Sequence, residues 1–357
     1  MIVWLVLMAA AVPRSAGSGA AVPAAPLQMP SALARYLDGV GFTSGDYAAL
    51  AAGRPASRLL ESSVRDELGV VAVVRVDAPA ARLLAGYRDI VRFESGPGVL
   101  AMGVFSTPPR MSDVAALQAT PHDLRDLRSC RLGDCDVNLP ADTIRRFADV
   151  DWDSRSAAES ARRVLGEMLV QYVTRYSREG ADALVVYQDV EPPIAIESRT
   201  AELFGAVDTL APLPRLRAYF QQYNTLPVPD GAHSFFYWQQ VSFGMKPVTR
   251  VSQVVVAPFA MDGLPCSVFM SRMIYASHYF RDGLELRYIV PLNGPAGADA
   301  FYLVLVSRSH SESLVGFKGF LLGGTIRRHA RSSMATYAAH VRQVVEGSAV
   351  AGGGPRR

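Results

Sequence analysis

Apolar residues recur along this chain at two periods, near 3.6 and near 2, and the places where one gives way to the other outline its elements. Residues 31–68 open with two short helical patterns. In SALARYLDGVGF, Leu33, Tyr36, Leu37 and Val40 share a face, and TSGDYAALAAG follows with Thr43 or Ser44 placed to cap it, before Gly53 and Pro55 end the pattern. Residues 69–105 read strand, helix, strand: GVVAVVRV is almost continuously apolar, Asp77-Ala78-Pro79 turns the chain into AARLLAGYRDI, and VLAMGVF follows. Residues 106–233 change character. Short capped helices are expected at 112–117 and 121–127, a helix from Pro140 to Phe147, and a long amphipathic helix over 156–178, where Val164, Met168, Tyr172 and Tyr176 recur at helical spacing. ALVVYQDV at 183–190 fits a strand or a continued helix, and helices near 198–206 and 213–223 follow. Residues 234–346 begin with five strand patterns, SFFYWQQVSF, TRVSQVVVAPF, CSVFMSRMIYASHYF, LELRYIVPL and AFYLVLVSRS, separated by turn residues such as Asp262-Gly263 and Asp282-Gly283, and end in a mostly helical segment from residue 313.

This order predicts an α+β fold: a curved antiparallel sheet gripping a long C-terminal helix, with a large helical insertion at 106–233. The run GVVAVVRVDAPAARLLAGYRDIVRFESGPGVL resembles the opening of START-like (Bet v 1-like, SRPBCC) helix-grip domains, and GFKGFLLGGTIRRHARSSMATYAAHVRQVV is similar to their closing helix. The resemblance covers residues 69–105 and 234–346; the insertion departs from it and leaves open whether the two halves share one sheet. CRLGDCDVNLP, FFYWQQVSFGMKPV and IYASHYF also look like stretches of a group of exported bacterial proteins, a likeness that supplies no activity.

Composition narrows the functional classes. The formal charge is +3, and only Lys246 and Lys318 are lysines; the arginines are scattered among acids, with no aromatic-interleaved basic stripe of the kind single-strand binders use. Nucleic acid is therefore not an expected partner. Residues 2–12 are continuously apolar, too short for a bilayer core of ~30 Å that needs about twenty residues. They fit a signal-peptide core with cleavage near Ala20, residues 1–30 forming the signal and lead-in and 347–357 a disordered tail. An exported, periplasmic or extracellular protein without a transmembrane span in its mature chain is expected.

That compartment decides the reading of SCRLGDCDVNLP. Cys130 and Cys135 have four residues between them, not the two of a thioredoxin-like motif, and no second cysteine pair completes a zinc site. In an oxidising compartment the simplest outcome is a Cys130–Cys135 disulfide. Cys266 lies in an apolar strand and reads as a buried thiol.

No P-loop, dinucleotide fingerprint, G-x-S-x-G or H-E-x-x-H motif is present, and no metal or cofactor is expected. A sheet clamped on one helix leaves a cavity between them, mostly apolar with a few orienting polar groups. The expected ligand is a hydrophobic small molecule or lipid, and the candidate lining residues are Tyr237, Trp238, Tyr275, His278, Phe280 and Tyr302. Alternation places Tyr237 opposite Trp238 and Tyr275 opposite His278 and Phe280, so the register decides which set points inward. His278 is the acid/base candidate for an enzyme acting on a hydrophobic substrate, although no carboxylate lies at a sequence spacing that would orient its ring. His233 and His310 stand at strand ends, where site residues collect and solvated histidines are also common. A third reading is an envelope interaction module that docks an unidentified protein partner through the helical insertion.

Overall fold

A single antiparallel sheet takes strands from both halves of the sequence. The computed structural model describes residues 29–347 apart from 97, 207–209, 243–245 and 293–298, so the apolar N-terminal run and the tail lie outside the described residues. The strands are β1 (Ala56–Leu60), β2 (Glu67–Val76), β3 (Val99–Val104), the short pair β4 (Val186–Tyr187) and β5 (Ile194–Ala195), β6 (His233–Val241), β7 (Val248–Met261), β8 (Leu264–Ala276), β9 (Phe280–Pro291) and β10 (Phe301–Ser311). Eight of them form one sheet in the order β1-β2-β10-β9-β8-β7-β6-β3. The five-strand meander is its centre. The strand-helix-strand unit of residues 69–105 is split between the two flanks, β2 beside β10 and β3 beside β6. β1 was not expected from the sequence; ASRLL shows no alternation, because its ends are buried while its middle is only half covered.

Both faces of the sheet are covered, which explains why its strands read as nearly continuous apolar runs rather than alternating ones. Ala72, Val74, Val76, Leu303 and Leu305 point to one side. They pack with Leu83 and Tyr87 of α3 (Ala80–Arg88), Ile90 of α4 (Ile90–Glu94), and Ala338, Val341 and Val345 of the long C-terminal helix (Gly316–Gly347). Their sequence neighbours Val71, Val73, Val304 and Val306 point the other way. There they meet Leu33 and Leu37 of α1 (Ser31–Gly39) and Leu50 of α2 (Ser44–Ala51).

The segment between β3 and β6 completes this second layer. It carries α5 (Pro121–Ser129), α6 (Ala141–Ala148), α7 (Ala157–Glu179), α8 (Ile196–Ala206) and α9 (Pro214–Gln221), so the C-terminal helix is α10. Its start signals work as local chemistry requires. Thr120 caps α5 in a box with Asp123, and Pro121 sits in the first turn, where its missing N–H costs nothing. Gly180 ends α7 at φ +64°, and a Cβ there would lie 2.4 Å from the Tyr223 carbonyl oxygen, so only glycine fits. Asp262 and Gly263, at φ 51° and 78°, make the two-residue turn joining β7 and β8. Tyrosine hydroxyls fasten the layer to the sheet: Tyr172 donates to the Ile274 carbonyl at 2.8 Å and Tyr176 to Gln253 Oε1 at 2.7 Å.

Cys130 and Cys135 form a disulfide. The loop it closes lies against the β4–β5 hairpin, with Gly133 N–H donating to the Gln188 carbonyl at 2.8 Å and Cys135 N–H to the Asp189 carbonyl at 3.0 Å. Denatured, unreduced protein should titrate a single thiol, that of Cys266; replacing both Cys130 and Cys135 with alanine should cost about 2 kcal/mol by urea denaturation, because the closed loop is short.

Candidate functional site

β2 and β6 to β10 bury their apolar residues under α3, α4 and the last turns of α10, but the other end of this same face is polar. Side chains that alternate along the strands bring Gln239 of β6, Arg250 and Ser252 of β7, Ser271 of β8, Glu285 and Arg287 of β9, and Ser307 and Ser309 of β10 to it. Between this end and α10 lies a cavity of about 380 Å³. Its charged wall is Glu94, Arg250, Glu285 and Arg287; its apolar wall includes Val248, Phe280, Leu305 and, from α10, Ala330 and Met334. A smaller recess of about 110 Å³ shares Arg250, Phe280 and Glu285 with it and is lined by Ser252, Ser271, Ser307 and Ser309.

The charges form a ladder. Gln239 Oε1 accepts from Arg250 Nε at 2.7 Å. Arg250 reaches across β8 to Glu285 at 3.4 Å, and the β8 residue registered with Glu285 is Ser271, too small to intervene. Glu285 meets Arg287 at 3.3 Å, and Arg287 pairs with Glu94 and donates to the Tyr337 hydroxyl at 2.7 Å. Tyr337 in turn donates to Glu94 Oε1 at 2.7 Å. The Arg287 guanidinium also lies 4.5 Å from the Phe269 ring centre, a cation–π contact in a dehydrated place. Two carboxylates and two guanidiniums make the ladder neutral overall. Arg287 and Glu94 are buried, at 5% and 8% side-chain exposure, whereas Arg250 and Glu285 keep 26% and 28%. The surface they keep faces the cavity. Burial alone would disfavour the ionised Glu285, yet Arg250 and Arg287 overcome it and hold the carboxyl below its usual range. Burial likewise works against the charge on Arg287, and Glu94, Tyr337, Tyr87 and Glu285 together more than offset it.

Comparison with protein-family models, with curated proteins and with solved structures finds no match to this chain. The chemistry of the site therefore carries its interpretation. The apolar wall can take an alkyl or aryl body. The ladder edge and the serine recess offer donors and acceptors to a polar head. Among the described residues no group of three or more His, Cys, Asp and Glu is placed to hold a metal ion, and no helix is long and apolar enough to cross a membrane.

The six residues expected to line a cavity are not gathered in one. Phe280 lines it. Tyr237 is buried on the same face in the apolar cluster beside the ladder, and burial raises the pKa of its hydroxyl. Trp238, Tyr275 and Tyr302 point to the opposite face. There Trp238 Nε1 donates to the Asp113 carbonyl at 2.8 Å, Tyr275 packs 6.2 Å from Tyr187, and Tyr302 joins the cluster under α1.

His278 sits at the bend between β8 and β9 and is not part of the cavity wall. Its Nδ1 meets the Asp136 carbonyl at 2.9 Å and its Nε2 meets Asp123 Oδ1 at 3.2 Å. A carboxylate does orient the ring, but it comes from α5, 155 residues earlier in the chain, where no spacing rule could reveal it. The same bend holds Tyr279 at φ 63°, an uncommon conformation for a bulky residue. The Tyr279 carbonyl is pinned by Ser311 Oγ at 2.9 Å. The charged ladder itself was missed. Its trace in the sequence is LELRY, where Glu285 and Arg287, two apart, interrupt an apolar run, and TRVSQ, where Arg250 and Ser252 alternate with apolar or neutral neighbours.

His310 is fully buried rather than solvated, with Nδ1 2.8 Å from Asp282 Oδ1. It faces Asp282 on β9, Glu202 and Arg199 on α8, and Asp66 just before β2. Burial opposes its protonation, but the hydrogen bond and charge of Asp282 outweigh burial and raise its pKa above 6.5. A raised folded pKa means that the pair's stabilisation is complete below the unfolded value and is lost as pH rises through the folded one. Glu285, whose pKa is lowered from 4.5, behaves oppositely: its contribution is present above that value and lost as pH falls through the folded one. Urea midpoints should therefore fall on both sides of mildly acidic pH. In His310→Gln the alkaline decline should flatten; an unchanged decline would assign it to another group.

Proposed function

We propose that this is an exported ligand-binding protein of START-like helix-grip architecture, and that its ligand is an amphipathic small molecule held between the sheet and α10. The observation that carries this reading is the 380 Å³ cavity, with a neutral charged ladder on one wall and Phe280, Leu305, Ala330 and Met334 on the other. That volume lies in the ~300–1,000 Å³ range of small-molecule sites. The strand order supports the architecture: β2 lies beside the last strand, β10, β3 lies at the far flank, and a closing helix packs on β2. The Cys130–Cys135 bond supports an oxidising compartment. The apolar ligand expected from sequence is refined to one with a polar head, because a purely hydrocarbon ligand would leave Arg250 and Glu285 dehydrated without new partners.

Monooctanoylglycerol, which joins a short alkyl chain to a head that donates and accepts hydrogen bonds, is a suitable probe. Calorimetric titration of the full chain should show one-to-one binding. Glu285→Gln should weaken it about tenfold, the worth of one charge-assisted hydrogen bond. Met334→Trp should fill the cavity and abolish binding while leaving the circular dichroism spectrum intact. Octane binding as well as the glycerol ester, or Met334→Trp binding normally, would remove the proposal.

A further inference from the structure

A second cleft, larger than the first, lies at the β3 edge of the sheet and shares no lining residue with the cavity under α10. Its volume is about 630 Å³. β3 and the turn after it form one side, the last turns of α7 a second, and α9 with the start of β6 the third. Three aromatic rings make one wall: Tyr223 stands edge-on to Tyr219 at 5.5 Å and to Phe236 at 5.7 Å. Phe235, next to Phe236 on β6, points to the other face of the sheet, where it stacks on His233 at 5.4 Å at the rim of the cleft. Tyr223 is also stacked face to face on the buried Tyr176 ring, 5.2 Å away at an interplanar angle of 6°, so the wall is anchored from behind.

The charged groups in this cleft are of one sign. Arg88, the last residue of α3, and Arg178, near the end of α7, both line it, and no aspartate or glutamate does. Among the described residues neither guanidinium has a carboxylate within ion-pair distance. That sets them apart from Arg250, Arg281, Arg287 and Arg308, each of which is paired. Ser106, Thr107, Thr174, Ser177 and Ser234 add hydroxyls to the lining. The backbone beneath Arg178 is held in place, its carbonyl accepting from Asn224 Nδ2 at 2.9 Å.

We infer that this cleft binds a flat aromatic small molecule carrying an anionic group. The ring packs on the Tyr223–Phe236 wall, and the anion sits between Arg88 and Arg178. The aromatic wall supplies area that is largely pre-formed, and two guanidiniums in a cleft that no carboxylate lines select negative charge. The two arginines also occupy helix C-terminal turns, where a cation offsets the negative end of the helix. That role stabilises the fold without any ligand, so the test must read binding.

The probe is 2-naphthalenesulfonate, with its neutral methyl sulfone as control, titrated calorimetrically into the full chain. The sulfonate should bind at least tenfold more tightly than the sulfone at low salt. Replacing both arginines (Arg88→Ala with Arg178→Ala) should remove that preference, and Tyr223→Ala should weaken both compounds. Hydrogen exchange with the sulfonate bound should show protection at 104–109 and 219–236 and none at 330–337. Equal affinity for the two compounds, full binding by the double arginine variant, or protection at 330–337 would each overturn the assignment. The last result would place the probe in the cavity under α10 and leave this cleft without a ligand.

Discussion

Arg287→Ala should cost about 3–5 kcal/mol of folding free energy, the range found when one partner of a buried ion pair is removed. Arg287 is 5% exposed, pairs with Glu94 at 8%, donates to Tyr337 at 2.7 Å, and lies over the Phe269 ring. Truncation leaves Glu94 in a dehydrated place with only the Tyr337 hydroxyl to serve it, and opens a void beside Phe269 and Tyr87. Both terms act in the same direction. The pair need not be more stable than hydrocarbon of the same shape, because desolvation cancels much of its attraction. Arg287→Met combined with Glu94→Leu should therefore recover most of the loss. Urea midpoints at constant slope measure all three proteins. A single-variant loss below about 1 kcal/mol would mean that the ladder is as well solvated as a surface pair.

The second large effect belongs to Arg281, at the join between the sheet and the segment that covers its opposite face. Arg281 is 4% exposed. It donates to Asn138 Oδ1 at 2.9 Å and Asp189 Oδ2 at 3.1 Å, pairs with Glu312, and lies over Tyr187 at 5.5 Å. Asn138 in turn donates to the carbonyls of Ala276 at 3.0 Å and Phe280 at 3.1 Å. Burial raises the Asp189 pKa, and Arg281 only partly offsets it. Arg281→Ala leaves that carboxyl without a counter-charge and should also cost about 3–5 kcal/mol. It should further loosen the cover locally: amide exchange should quicken over 130–139 and 185–195 more than in β7 and β8. A uniform increase across the chain would argue that the cover and sheet unfold as one unit.

Much of the secondary structure was legible because it rests on local rules. The 157–179 helix announces itself by the spacing of Val164, Met168, Tyr172 and Tyr176, and the meander by its alternating or apolar runs broken at Asp262-Gly263. β1 was not legible, since a short strand at a sheet edge is defined by its partner, Gly69 to Val73, and not by its own pattern. The site was legible only in part. Of the aromatic residues singled out, Phe280 lines the cavity, and Trp238, Tyr275 and Tyr302 turn away. A one-residue difference in register sends a side chain to the other face, and aromatic identity carries no information about which face is which. The ladder had a weak signature, Glu285 and Arg287 two apart in an apolar strand. Its meaning needed Arg250 from β7, 35 residues away, and Glu94 from α4.

What the sequence determined by itself is local and covalent: which stretches are helix or strand, where glycine and proline end them, and that Cys130 and Cys135 are near enough in the chain to be joined. Hydrophobic period and turn chemistry act over a few residues, so they can be read without the fold. Only the tertiary structure decided that residues 67–76 and 99–104 flank one sheet, that its opposite face is covered by the 105–232 segment, and that the cavity beneath α10 is lined by paired charges. Those outcomes depend on contacts between groups tens to hundreds of residues apart. A buried arginine is tolerable only where the carboxylate that neutralises it arrives from another element, and that meeting exists only once the chain has folded.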